Sequence, residues 1–510
     1  MSKDIYPSYP PTLTEERKKF ILETVRDWSI ARGLAVRPPP SFVDPKHDPT
    51  GVLATSAPVT LFPSLFPRSA FNEATSIQKA YNELYAAITM DKGWLQEIVS
   101  EIAGIDEFVG QLWSVHEAVA KEGYAQELNL GMFRSDYMIH VEKGKPGLKQ
   151  VEFNTIASSF GGLSSQVSSL HKHLLASHAY PDEITGAVTA ESLPPNPSIS
   201  GLASGLAAAH REYTAKSNRP TCVLFVVQDP ERNIFDQRLI EYALLEEAKV
   251  PSFRLPFAET LKHTRLESDR SLTYTPPHSP EKTYEVSVVY YRAGYAPTDY
   301  EWPEAWEARL YLERSSAIKC PSILTHLAGC KKVQQVLATP GSSHLQNFIK
   351  DTLELQRVRE TFAPIYPFDD SATGTKAREL ALNPKTAAHY VLKPQREGGG
   401  NNIYRKAIPD FLKSIPETQW PAYILMEMIE PPPQRNTIMR NGDVEEGGVI
   451  CEIGVYGVCL WRIASGEQKG GEILHSANAG YLLRTKGDQS EEGGVAAGFG
   501  AMDSCSLVDV

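Results

Sequence analysis

The sequence predicts a mixed α/β protein built from more than one domain, and three observations carry that reading. The chain has 510 residues. Since roughly 100–200 residues make a domain, two to four are expected. A near-continuous apolar run, TCVLFVVQD at 221–229, is followed by a helical pattern and two further strand-like segments, the order of a parallel α/β layer. A second group of strand-like segments lies after residue 389, accompanied by glycine-rich stretches.

In chain order, residues 13–35 and about 76–127 read as helices, the second because Ile77, Tyr81, Leu84, Tyr85 and Ile88 recur at helical spacing. The Pro-rich connector 37–68, with Leu61, Phe62 and Phe66 as apolar anchors, reads as ordered wrapping. LKQVEFN at 148–154 reads as a strand with Val151 and Phe153 on one face and Glu152 and Asn154 on the other. A helix is expected from Ser164 to about Ser177, and 181–201 reads as a loop. After the 221–229 strand, Ile234, Leu239, Ile240, Ala243 and Leu244 mark a helix, and VPSFRLPF and YEVSVVYYR are strand-like. This places a distinct α/β domain at 219–325, between an N-terminal part at 1–218 and a C-terminal part at 326–510. In the C-terminal part a helix follows Lys331, strands are expected at 389–395, 422–430 and 447–462, and a glycine-rich tail covers 493–500. There is no internal repeat and no low-complexity tract.

Composition excludes several classes. Hydrophobic residues make up 42% and charged residues 22%, ordinary for a soluble globular protein. With 51 basic against 62 acidic residues the net charge is −11, which argues against nucleic acid as a partner but not against small anions held by local cations. No stretch approaches the ~20 apolar residues needed to span a bilayer. The start, MSKDIYPSYPPTLTEERKKF, lacks the apolar core of a signal peptide and is too acidic and proline-rich for a transit peptide. Six cysteines without a C-x-x-C pair are too sparse for a disulfide framework, so a cytosolic protein with reduced thiols is expected.

The most informative segment is Lys393-Pro394-Gln395-Arg396-Glu397-Gly398-Gly399-Gly400-Asn401-Asn402. Three glycines after a strand free the backbone so that N–H groups can converge on phosphate oxygens. Lys393 and Arg396 add positive charge, and Glu397 offers a hard oxygen ligand for Mg²⁺. A flexible glycine hairpin is the bland alternative. No Walker loop, G-x-G-x-x-G fingerprint, H-E-x-x-H helix or G-x-S-x-G elbow is present. In Glu152-Phe153-Asn154 two oxygen donors share a strand face about 7 Å apart, a spacing open to Mg²⁺ or to simple solvation. Leu483-Arg484-Thr485-Lys486 precedes Gly493-Gly494-Val495-Ala496-Ala497-Gly498, which suits a loop closing over an anion or a mobile tail. Taken alone, Arg134-Ser135-Asp136-Tyr137 reads more readily as a surface ion pair than as a cation placed in a pocket, Lys331-Lys332 as a solvated helix face, and Met426-Glu427-Met428-Ile429 as core strand more readily than as a purine slot. Glu231-Arg232-Asn233 and Arg292 follow strands, where α/β sheets bind ligands, with a helix cap by Asn233 as the bland alternative.

Together VEFNTIASSFGGL, QDPERNIFDQR, LAGCKKVQQ, VLKPQREGGGNNIY, YILMEMIEP and LLRTK…GGVAAG, in this order, resemble eukaryotic-type glutathione synthetase across nearly the whole chain. The resemblance implies an ATP-grasp fold with permuted chain order and the inserted α/β substrate domain. It also implies a homodimer that joins γ-glutamylcysteine to glycine at the expense of ATP. It places Mg²⁺ on Glu152, Asn154 and Glu397. It places ATP against Glu152, Lys331, Lys393, Gly398 to Asn402, Tyr404, Met426, Glu427, Met428, Ile429, Glu452, Lys486 and Glu492. Peptide contacts fall on Arg134, Ser158, Ser159, Glu231, Arg232, Asn233, Gln237, Arg292, Tyr295, Arg484, Val495 and Ala496. Arg134, Lys331 and Lys393 are the expected catalytic cations. The family's usual Arg-Asp-Gly-Tyr is Arg292-Ala293-Gly294-Tyr295 here, Glu492 stands where Asp is common, and MDSCSLVDV departs from the family pattern. Forms that prefer β-alanine carry bulkier residues than Ala496-Ala497, so glycine is the expected acceptor. The rival readings are the same ligase chemistry with another amine, a nucleotide-binding regulatory protein without turnover, and a plain kinase.

Overall fold

The strand read from LKQVEFN forms as Lys145–Asn154 and pairs antiparallel with Leu128–Glu142. The computed structural model describes residues 5–397, 399–464, 470–490 and 500–510. Leu128–Glu142 lies inside a 13-stranded mixed sheet. On one side it pairs antiparallel with Asp443–Ile463, which pairs in turn with Gly471–Gly487. On the other it pairs parallel with Ile318–Cys320. The segments read as a parallel layer are one: Ile318–Cys320, Tyr284–Tyr291, Thr221–Val227 and Ser252–Pro256 pair parallel in that order. Their sheet is therefore continuous with the main sheet. The helix Ile234–Ala248 connects two of these strands, as a parallel connection requires.

A smaller antiparallel sheet holds Ile365–Tyr366, Tyr423–Glu427, Tyr390–Pro394 and Ile403–Tyr404. Its side chains alternate as a two-faced sheet should. Val391 and Met426 join the main core. Tyr390, Leu392 and Leu425 pack instead with Phe368 and Trp420 in a core of their own. A small sheet facing a large one across a cleft is the ATP-grasp arrangement.

Helical readings hold with changed bounds. The first helix is Glu15–Ala31 and gives way to a short strand at Ala35–Val36. The stretch read as one helix is three: Arg68–Met90, Lys92–Ala103 and Glu107–Glu122. Asp91 and Asp106 break it, because each carboxylate caps a new N-terminus, accepting from Trp94 N at 3.1 Å and Val109 N at 3.0 Å. The 181–201 loop contains a 3₁₀ turn, and the helix Ser198–Glu212 begins inside it. The connector is ordered: Val59–Thr60 joins the main sheet, and Ser64–Pro67 pairs parallel with the C-terminal Cys505–Val508.

Aromatic stacking fixes the strand that carries Glu152 and Asn154. On its inner face Phe153 stacks on Tyr85 with ring centroids 3.8 Å apart and planes 10° from parallel. Such pairs contribute about 0.5–1.5 kcal/mol beyond area burial. No described helix is long and apolar enough to cross a membrane.

Candidate active site

The cleft between the two sheets has a volume of about 330 Å³. The strand Tyr390–Pro394 brings Lys393 to it from the small sheet, and Lys145–Asn154 brings Glu152 and Asn154 from the large one. Between them the first turn of Lys331–Ala338 delivers Lys331, whose Nζ lies 3.1 Å from a Glu152 oxygen and 3.1 Å from a Glu397 oxygen. Lys331 and Lys332 are both buried, against the solvated-face reading. Lys332 pairs with Glu101 at 2.8 Å. A bulge in the Lys145–Asn154 strand sets Glu152 opposite Asp136 and Gln150 opposite Tyr137. The extra residue, Val151, turns its carbonyl to accept from Lys393 Nζ at 3.0 Å.

These charges shift one another. Burial alone would raise the pKa of Glu152, but Lys331, Lys393, Arg484 and Arg134 together hold it well below the usual carboxylate range. At Glu397 burial outweighs Lys331, and the pKa is raised. Lys331 is buried too, yet its two carboxylates raise its pKa. At Lys393 burial prevails and the pKa is lowered. Two carboxylates and an amide suit a hard cation that completes its shell with water and phosphate. Asn154 commits Nδ2 to Arg134 O at 3.2 Å and Asp136 Oδ2 at 3.0 Å, so its oxygen is the end left for a cation. Among the described residues no group of three or more His, Cys, Asp or Glu side chains could hold a metal by itself.

Arg134 is not on the surface. Its side chain is 6% exposed and forms a two-pronged pair with Asp136, Nε to Oδ1 at 2.6 Å and Nη2 to Oδ2 at 2.8 Å. Arg484, on Gly471–Gly487, donates to the same Asp136 oxygen at 3.0 Å and to Glu452 on the neighbouring strand. Burial raises the pKa of Glu452 in spite of Arg484. Val391, Met426, Met428, Ile429 and Ile450 make an apolar wall, with Glu427, Lys486, Gly399, Asn401, Asn402 and Tyr404 also lining the cleft. The 426–429 segment is thus core on one face and cleft wall on the other.

Ser158 and Ser159 lie in the turn between the Lys145–Asn154 strand and the helix Gly161–Ala176. Asp236 anchors that turn, accepting from Phe160 N at 2.8 Å and Gly162 N at 2.7 Å. Gly162 is required, since a Cβ there would sit 2.5 Å from Asp236 O. Arg292 donates to Ser158 O at 2.9 Å and Ser159 Oγ at 2.7 Å. Four buried polar atoms of this region have no hydrogen-bond partner: Ser158 Oγ, Arg292 Nε, Asn233 Oδ1 and Gln237 Oε1. Orphaned groups of this kind call for a ligand or water.

Most expected site residues share the one cleft. Arg292 reaches it through Ser158 and Ser159, and Tyr295 lines it. Glu231, Arg232, Asn233, Gln237 and Gly400 are not among its lining residues. Glu231 binds Gln237 Nε2 at 2.6 Å and Asn233 N at 2.7 Å. Gly398, Glu492, Val495 and Ala496 lie outside the described residues. Arg396 borders the cleft, but its guanidinium is taken by Asp106 at 2.6 Å. Sequence reasoning pairs Asp136 with Arg134 but puts the pair on the surface, whereas the structure buries it. It misses Gly454, which stands opposite Asp136 in register and has no local signal.

A sequence model of the family described as eukaryotic glutathione synthase, ATP binding domain, matches residues 15–507. The chain is 43% identical to the glutathione synthetase large chain of Schizosaccharomyces pombe over 98% of its length and 99% of the relative's. It is 38% identical to the glutathione synthetase of Homo sapiens, covering 94% of each chain. It is 36% identical to the chloroplastic glutathione synthetase of Arabidopsis thaliana, covering 96% of this chain and 86% of the relative. Among solved structures, a glutathione synthetase-like effector from Globodera pallida superposes with a TM-score of 0.72 at 22% identity, covering 98% of both chains, and shows the same fold. The chain therefore belongs to the eukaryotic glutathione synthase family and is an ATP-dependent ligase.

Proposed function

We propose that this protein joins the carboxylate of γ-glutamylcysteine to the amine of glycine, consuming ATP and releasing ADP and phosphate. A carboxylate is inert to an amine near neutral pH, so it is first phosphorylated by ATP. Catalysis of that step is positioning and charge neutralisation. Lys331 and Lys393 neutralise phosphate oxygens. Glu152, Glu397 and the oxygen of Asn154 would hold Mg²⁺, which would supply further neutralisation of phosphate charge. The apolar wall at Val391, Met426 and Ile450 takes the base. Arg134 stabilises the acyl phosphate and the oxyanion formed on amine attack. Ser158, Ser159, Arg292, Tyr295, Asn233 and Gln237 hold the peptide, and Arg484 orients the carboxylate of glycine by paired hydrogen bonds. An acyl phosphate hydrolyses if water reaches it, so the glycine-rich loop after Lys393 closes over the site. The protein works as a homodimer in the cytoplasm.

The observation that carries this reading is the convergence of Lys331, bridging Glu152 and Glu397, with the Arg134 and Arg484 pair in one cleft. Mass spectrometry of products from ATP, Mg²⁺, γ-glutamylcysteine and glycine or β-alanine tests it. Glutathione is expected from the glycine mixture, whereas phosphorylated peptide without coupling to an amine would favour the kinase reading.

A further inference from the structure

We infer that Asp136 is a positioning residue that sets the spacing of Arg134 and Arg484, and through them the separation of the reacting acyl group from the acceptor's carboxylate. The inference rests on the proposed roles of these two arginines.

Asp136 is fully buried and is not among the residues lining the cleft, whereas Arg134, Arg484 and Glu452 are. It therefore acts through its partners rather than on substrate. Its carboxylate is saturated. Oδ1 accepts from Arg134 Nε at 2.6 Å. Oδ2 accepts from Arg134 Nη2 at 2.8 Å, Arg484 Nη2 at 3.0 Å and Asn154 Nδ2 at 3.0 Å. One anion thus ties together groups from three strands: Arg134 on Leu128–Glu142, Asn154 on Lys145–Asn154 and Arg484 on Gly471–Gly487. Two guanidinium groups held so close repel one another, and a carboxylate between them turns that repulsion into a fixed geometry.

A second observation shows that the strand between them is built for this contact. Asp443–Ile463 separates the Arg484 strand from the Asp136 strand, and Gly454 stands opposite Asp136 in the register. A Cβ at Gly454 would sit 2.5 Å from Asp136 Oδ1 and 2.7 Å from Arg134 Cδ. The bare backbone at this position gives the pair its space and lets Arg484 reach across the intervening strand. Glu452, two residues earlier on that strand, also binds Arg484 but faces the cleft. Glu452 is placed to yield Arg484 to an incoming carboxylate, and Asp136 is placed to keep its hold.

The test uses the full-length protein and steady-state kinetics with each substrate varied in turn. Asp136→Asn keeps the shape but loses the charge and turns a donor towards an arginine or Asn154. The expected result is a rise in KM for glycine and for γ-glutamylcysteine of about tenfold or more, with KM for ATP changed by less than about twofold. Gly454→Ala is expected to show the same split by displacing the pair, and it serves as the readout should Asp136→Asn not fold. In an Arg484→Ala background, Asp136→Asn should add no further loss in glycine KM, because its effect there runs through Arg484. An unchanged glycine KM in folded Asp136→Asn or in Gly454→Ala, or full additivity in the double variant, overturns the inference. A normal glycine KM in Arg484→Ala alone instead overturns the acceptor reading, and the inference with it.

Discussion

Replacing Glu152 with Gln separates function from stability in this cleft. The side chain is held ionised by Lys331 at 3.1 Å and by three further cations. Breaking a buried ion pair outright costs about 3–5 kcal/mol, but here Lys331 keeps Glu397, also at 3.1 Å, and Gln still offers a carbonyl oxygen. The loss is then closer to a single charge-assisted hydrogen bond, about 1–3 kcal/mol. At about 2.1 cal/mol/K per residue, unfolding 510 residues carries an entropy near 1.1 kcal/mol/K, so the melting temperature should fall by only about 1–3 °C. If Glu152 holds the metal as proposed, turnover should fall far more, by about a hundredfold, since an anionic ligand is gone. The sign with pH follows from the depressed pKa: the stability Glu152 contributes is present above the unfolded carboxylate value and is lost as pH falls through the folded one. The gap between wild type and variant should therefore close towards acid pH. Calorimetry across pH, paired with phosphate release over a Mg²⁺ titration, gives both numbers. Wild-type turnover at limiting Mg²⁺ would refute the metal assignment, and a drop in melting temperature above about 10 °C would refute the stability argument.

Three further outcomes are expected. If catalysis needs Glu397 ionised and Lys393 protonated, burial raises the first and lowers the second, so the pH profile of kcat/KM should narrow from both sides; limbs at the ordinary carboxylate and lysine positions would contradict this. Amide hydrogen exchange across 399–405 and 484–490 should slow on adding nucleotide plus peptide, and equal rates with and without ligands would remove the lid. Glycine should be preferred to β-alanine, but one methylene discriminates by only about 1–3 kcal/mol, so kcat/KM ratios should show preference and not exclusion; a wild-type preference for β-alanine would reverse the acceptor assignment.

What the sequence reveals here is set by how far apart the interacting residues lie along it. The Lys393 to Asn402 loop announces itself because cations, a carboxylate and glycines are adjacent. The face shared by Glu152 and Asn154 follows from period-two alternation, although the bulge at Val151 does not, since it depends on the pairing partner. Helix ends at Asp91 and Asp106 were readable as caps, yet a long apolar periodicity runs across them and reads as one helix. Arg396 illustrates the opposite limit. Its charge looks committed to phosphate until a carboxylate 290 residues away is brought to it. Burial is equally nonlocal: Asp136 stands two residues from Arg134, yet nothing near Arg134 or Lys331 states that either lies inside the protein. The continuity of the main sheet through Ile318–Cys320 rests on register with Leu128–Glu142 and leaves no trace in composition.

These counter-charges explain how a cleft dense in cations exists at all before any ligand enters. Unpaired buried charges cost several kcal/mol each, and the cations of this cleft have partners: Arg134 with Asp136, Arg484 with Asp136 and Glu452, Lys331 with Glu152 and Glu397, and Lys393 with the Val151 carbonyl and the field of Glu152. Binding is then an exchange and not a simple addition. On the proposed roles, phosphate at Lys331 would displace carboxylates that then become available to a metal ion, so nucleotide and metal would favour one another. On the proposed acceptor role, a substrate carboxylate at Arg484 would displace Glu452, while Asp136, sealed beneath the cleft, would stay. Each exchange swaps one anion for another at the cation, so no buried cation is left without a partner. It also means that affinity for each ligand is the difference between two strong pairings, so substitutions on the carboxylate side should alter substrate binding as surely as substitutions of the cations themselves.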